Sequence, residues 1–203
     1  MNKNSKIQVA LASVLLIGLY FLPMWKINLS APQYPEGLGL YIWINKISGE
    51  NPNDLNTING LNHYIGMKTI TPQDIPELKF MPYIVAFLIV SGLLVSLAGK
   101  RFLLNVWVII FFLVLMAGLF DFYLWEYDYG HNLNPNAAIK IPGMSFQPPL
   151  IGTKQLLNMR TTSLPYWGGV AAGISFGLGL MSMIVELIKV RKTKGTENAP
   201  GNL

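Results

Sequence analysis

The sequence predicts an all-α membrane protein with four transmembrane helices, both termini inside, and a small irregular extracytoplasmic cap containing short strand and helix segments. Three observations predict it. Of 203 residues, 52% are apolar and only 12% charged, against about 25% charged in ordinary soluble domains, and the mean hydropathy is +0.40. Four apolar stretches reach the roughly 20 residues that a helix needs to cross a bilayer core of about 30 Å. Basic residues gather beside those ends of the stretches that share one side. The same composition excludes a disordered chain, which is poor in apolar residues and rich in charge. Without cysteine, a disulfide scaffold, a thiolate zinc site, an iron–sulfur cluster, a CxxCH haem attachment and a thiol nucleophile are excluded as well.

The first segment, 1–25, is a short cytoplasmic N-terminus and a helix from Ile7 to Trp25. A basic start followed by an apolar run also fits a secretory signal. The run is long for one, however, and ends Leu22-Pro23-Met24-Trp25-Lys26 without a small-residue cleavage site, so an uncleaved anchor is expected. Residues 26–79 form a first outer loop. Residues 80–125 form a hairpin of two helices, Phe80–Ala98 and Phe102–Trp125, joined by Lys100 and Arg101. Residues 126–164 form a second outer loop, 165–188 the fourth helix, and 189–203 a basic tail expected to be disordered.

Orientation follows from charge. Lys3, Lys6, Lys100, Arg101, Lys189, Arg191, Lys192 and Lys194 flank one side of the predicted helices, whereas the remaining bases are spread through two long loops that hold most of the acids. Both termini are therefore expected in the cytoplasm. Trp25, Tyr83, Trp125, Tyr166 and Trp167 fall at the opposite ends, where amphipathic rings anchor in the headgroup region. The net charge of +5 then reflects topology, and no nucleic-acid partner is needed to account for it.

In the fourth helix Gly169, Gly173 and Gly177 recur every four residues, with Ala171, Ser175 and Gly179 beside them. Small residues let helix backbones approach closely in lipid. The ridge therefore reads as packing within the bundle, with Ser91, Gly92 and Ser96 as a matching surface, or alternatively as a face for a partner subunit. No helix has the mid-membrane ion pair or proton relay of a pump or channel. Asp121 is the one acid inside an outer helix end, and is either functional or in reach of water.

The outer loops carry the chemistry. Leu38–Ile44 favours a short strand, and dense proline and glycine imply a fixed path through the rest. The only two histidines lie one in each loop. His63 and Met67, at i and i+4, fall on one face of a helical turn, and His131 and Met144 lie in the other loop. Imidazole and thioether are ligands that copper accepts, Cu(I) above all, so these four are candidate copper ligands, with Glu126 and Asp128 as carboxylates that orient His131. Asp121 stands near them. The alternative is that His63 hydrogen-bonds within the cap while both methionines fill its core. Bis-histidine haem ligation is disfavoured because both histidines are expected in loops instead of facing one another inside helices. No nucleophile elbow, phosphate loop, dinucleotide fingerprint or zinc-protease motif occurs, so the chain reads as a non-enzyme. An enzyme acting on quinol or lipid near Asp121 and Glu126 is a further class without a motif behind it.

Ala31–Leu38, Asn59–Met67, Tyr129–Leu133 and Ile141–Met144 together resemble small membrane proteins encoded beside bacterial nitrous oxide reductases, particularly those of the second reductase clade. The resemblance spans both loops and the helix pattern. It implies a multi-pass protein of the bacterial inner membrane with its loops in the periplasm. It also implies an accessory role in denitrification: holding or delivering copper, or supporting maturation of the copper enzyme, with the reductase or its other accessory proteins as partners. The competing expectation is a metal-free scaffold subunit that docks a partner complex.

Overall fold

The computed structural model describes residues 1–141 and 143–197 and corrects the fold class. The chain is mixed α/β, 58% helical with 16% in a five-stranded antiparallel sheet. In order the elements are α1 (Lys3–Leu15), β1 (Trp25–Ala31), β2 (Tyr34–Ile42), β3 (Ile47–Gly49), α2 (Asp54–Ile65), α3 (Glu77–Ala98), α4 (Arg101–His131), β4 (Gly152–Leu156), β5 (Met159–Pro165) and α5 (Trp167–Glu197). They fall into two units. The first comprises Met1–Gly18, Ile84–Leu115 and the chain from Ala171, and the second Leu19–Tyr83 and Met116–Val170.

Among the described residues three helices, and not four, are long and apolar enough to cross a membrane: α3, α4 and the part of α5 to Val190. The stretch expected as the first transmembrane helix fails for a local reason. Ser5, Gln8 and Ser13 dilute it, its α-helix stops at Leu15, and Leu16–Tyr20 tightens into a 3₁₀ turn. After Pro23 the backbone extends, and Trp25 opens a strand. The basic tail is also more regular than expected, since α5 continues to Glu197. Residues 198–203 of that predicted disordered tail lie outside the described residues.

In the first unit, α1 docks on α5 through polar contacts. Ser175 donates to the Ala12 carbonyl at 2.7 Å, Ser182 to Gln8 Oε1 at 2.9 Å, and Glu186 accepts from the Asn2 amide at 2.7 Å. Glu186, 1% exposed, also pairs with Arg101 at 2.7 Å. The buried seam of α5 is Ala172, Ser175, Gly179, Ser182 and Glu186, at alternating spacings of three and four residues, the period of close helix packing. It is rotated from the predicted glycine ridge. A Cβ on Gly179 would strike Trp107, whereas one on Gly173 or Gly177 would meet nothing. Gly169 instead lies against the backbone of Met24. The expected matching surface also turns elsewhere: Gly92 abuts Ser13 and Trp107, Ser96 donates to the Lys6 carbonyl, and Ser91 bonds within its own helix.

The second unit replaces the expected irregular cap with a sheet of order β3-β2-β1-β5-β4, antiparallel throughout. Strands β1 to β3 come from the first long loop and β4 and β5 from the second. Opposed residues share a face of the sheet, so Ile27 opposite Leu40 and Ser163, and Leu29 opposite Leu38 and Thr161, build one inner surface. Helix α2 covers it with Ile58, Asn62 and Ile65. Buried Asp54 ties the start of α2 to the sheet, accepting from the Gly39 amide at 3.0 Å and the Asn51 amide at 3.1 Å. Gly66 ends α2 with φ +82°, the left-handed cap that glycine adopts at least cost, and a Cβ there would also crowd Ala137 and Asn134.

Two stability predictions follow from particular contacts. Leu157, in the β4–β5 turn, has φ +57°, a conformation that is strained for leucine. Leu157→Gly is expected to stabilise the protein by about 0.5–1 kcal/mol. Glu186→Ala strands the Asn2 amide and Arg101, and is expected to destabilise by about 2 kcal/mol. Thermal unfolding in detergent reads both, with opposite shifts of the midpoint.

Candidate functional site

Helix α4 has 31 residues, about 46 Å at 1.5 Å per residue, and a bilayer core takes up only about 20 of them. Counted from Phe102, that stretch is complete near Asp121, and from Met116 onward the helix already belongs to the second unit. Its final turns therefore work as part of the sheet unit. Phe122, Trp125, Glu126 and Tyr129 are spaced to share one face of a helix. Trp25 meets Phe122 edge-on at 5.4 Å, and the Trp125 and Tyr129 rings lie 4.5 Å apart. Tyr129 is pinned by donating to the Thr69 carbonyl at 3.2 Å.

A narrow cavity of about 70 Å³ lies between these turns, α2 and the inner face of the sheet, with Leu29, Leu40, Ile58 and Phe146 among its walls. Phe146 is seated by its amide donating to the Gly130 carbonyl at 2.9 Å, a close approach that a side chain at Gly130 would block by striking Gln147. Met67, Trp125, Glu126, Met159 and Thr161 line the same cavity. Glu126 is 0% exposed, and among the described residues neither of its oxygens has a hydrogen-bond partner, nor has the Thr161 hydroxyl or the Trp125 indole nitrogen. Native proteins seldom leave buried polar atoms unpaired, and each such group costs about 1–3 kcal/mol. Burial pushes the Glu126 carboxyl up to about 8, so it holds its proton at neutral pH.

An open groove of about 570 Å³ adjoins this cavity, and Trp125 and Tyr129 line both. Asp74, Glu77 and Asp128 line the groove against a single lysine, Lys68, which pairs with Asp128 at 2.6 Å. Lys68 and the Asn132 amide hold Asp128 below the usual carboxylate range.

The residues singled out from sequence are placed as follows. His63 is exposed on α2, whereas Met67 lies beyond the helix end at Gly66 and turns into the core, so the two do not share a helical face. His131 is exposed at the last residue of α4, stacked on Tyr127 at 4.0 Å. Its Nδ1 lies 3.0 Å from the Tyr127 carbonyl. A carbonyl only accepts, so Nδ1 is the donor of this bond, a contact common among metal-binding histidines. A backbone carbonyl thus takes the role expected of Glu126 or Asp128. Met144 is half-buried in the following loop, and Asp121 is half-buried on α4. The two loops do meet: the Ile139 amide donates to Tyr64 at 2.9 Å and the Asn134 amide to Gly66 at 2.7 Å. Among the described residues no three histidines or carboxylates are grouped to hold a metal. Trp125, Met159 and Thr161 were not foreseen. The signal was the apolar spacing Phe122–Trp125–Tyr129, which carries the helix past Trp125 with Glu126 on its inner side.

Fold and cavity define a class: apolar helices long enough to cross a membrane, joined to an α/β unit with a mostly apolar internal cavity. Comparison with models of known families and with curated proteins finds no match to the chain.

The Glu126 carboxyl gives a pH prediction. Its folded value of about 8 lies above the ordinary 4.5, so the folded state binds the proton more tightly. This contribution to stability is complete below about 4.5 and is lost as pH rises towards about 8. Glu126→Gln, a neutral isostere, should remove that component. Denaturant titration across this range checks it, and identical pH profiles for the two proteins would contradict it.

Proposed function

We propose that this protein is a membrane-anchored accessory protein of a nitrous oxide reductase system. Its helices sit in the bacterial inner membrane, and its α/β unit faces the periplasm, where it holds or hands over copper or supports maturation of the reductase. One observation carries the reading. Two of the segments behind the family resemblance, Asn59–Met67 and Tyr129–Leu133, are both tied to the chain that follows α4, by the Ile139–Tyr64, Asn134–Gly66 and Phe146–Gly130 backbone bonds. His63 and His131 are exposed at this corner, and the bond from His131 Nδ1 to the Tyr127 carbonyl is of the kind that orients a metal-binding imidazole.

A second reading, a metal-free scaffold for a partner complex, is favoured by the open space over Gly173 and Gly177. A partner helix packs closely against small residues of this kind. Deleting the gene from a host that respires nitrous oxide separates the readings. The accessory role predicts reductase protein at normal abundance, with activity and copper content reduced at least tenfold and restored by the wild-type gene. Unchanged activity and copper would overturn it. The scaffold reading predicts instead that Gly173→Leu leaves the monomer folded but abolishes co-purification of a partner.

A further inference from the structure

We propose that the narrow cavity beneath α2 is a buried Cu(I) site, with the thioethers of Met67 and Met159 and the carboxylate of Glu126 as its ligands. It deepens the copper-handling role proposed above and rests on that reading for its biological setting, but its ligands differ from the histidines that the sequence singles out.

Glu126 is 0% exposed with both oxygens unpartnered among the described residues, and it lines a cavity of about 70 Å³ that is otherwise almost wholly apolar. An engineered apolar cavity of about 150 Å³ accepts benzene, so this one is too small for a typical organic ligand but ample for a bare metal ion. The ligand must also suit the walls. Thioether sulfur is a soft, uncharged donor that selects Cu(I) over harder cations, and two of the chain's nine methionines line this one space. A monovalent ion is further required by charge. One carboxylate neutralises Cu(I), whereas a divalent ion would leave a net buried charge, which costs several kcal/mol.

Loading is an exchange. The Glu126 O–H bond breaks and the proton leaves to water, an O–Cu bond forms, and the two sulfurs donate lone pairs to copper. No electron is transferred. The neighbouring groove supplies an approach: Asp74, Glu77 and Asp128 outnumber Lys68 there, a balance that concentrates cations. Trp125 and Tyr129 line both spaces and form the wall that copper must pass.

The test is a titration of the full-length protein in detergent with Cu(I), using bicinchoninate as competitor, and circular dichroism to verify the fold of each variant. The wild type is expected to retain one equivalent. Glu126→Gln should weaken retention at least tenfold, and the volume-conserving double change Met67→Leu with Met159→Leu should abolish it. Ser91→Ala, on α3, is the control and should bind as the wild type does. Should Glu126→Gln fail to fold, the methionine pair decides. Full retention by these variants with loss in His63→Ala or His131→Ala would overturn the cavity site and leave copper handling at the surface. No retention by the wild type would overturn both.

Discussion

The structure of the second unit depends on β1 being bonded on both sides. Trp25–Ala31 pairs with β2 along one edge and β5 along the other, so chain segments more than a hundred residues apart close into one sheet. Each strand presents every second residue to the inner face, and the register places Leu29 opposite Thr161 and Ile27 opposite Leu40. That surface is the floor of the cavity. Without β1 in the centre, the two loops would be separate strands and turns, with too little apolar area in either to bury a core.

The same constraint explains why the first apolar stretch is not a full spanning helix. Its last residues serve the sheet. Trp25 donates its indole N–H to Ser163 at 2.8 Å, and Ile27 is buried in the core. The first unit compensates with hydrogen bonds from α5 serines to α1, a means of joining helices that does not depend on apolar burial.

What was legible in the sequence was set by period and local chemistry. Unbroken apolar runs gave α3, α4 and α5, and the strand propensity of Leu38–Ile44 matches part of β2. The alternation Lys26-Ile27-Asn28-Leu29-Ser30-Ala31 is equally present, but an aromatic residue at an apolar run's end, such as Trp25, fits a membrane anchor as well as the start of a strand. Strand β5 was hidden differently: Thr161 and Ser163 are its inward residues, so burial there does not follow hydrophobicity. For the cavity, the Trp125-Glu126-Tyr127-Asp128 run carries two carboxylates, and the sequence alone does not say which one is inside. Which carboxylate is inside depends on how far α4 continues, and Glu126, read as a supporting group for His131, is the one buried without a partner. Met67 was a copper candidate for a helical spacing that Gly66 breaks, yet it reaches the cavity by leaving the helix.

If the buried acid and the two thioethers hold a soft monovalent metal, X-ray absorption at the copper K-edge on the Cu(I)-loaded wild-type protein reads their atoms directly. The expected first coordination shell has two sulfur scatterers and one oxygen. A shell of nitrogen with the outer-shell scattering of imidazole rings, and no sulfur, would contradict it.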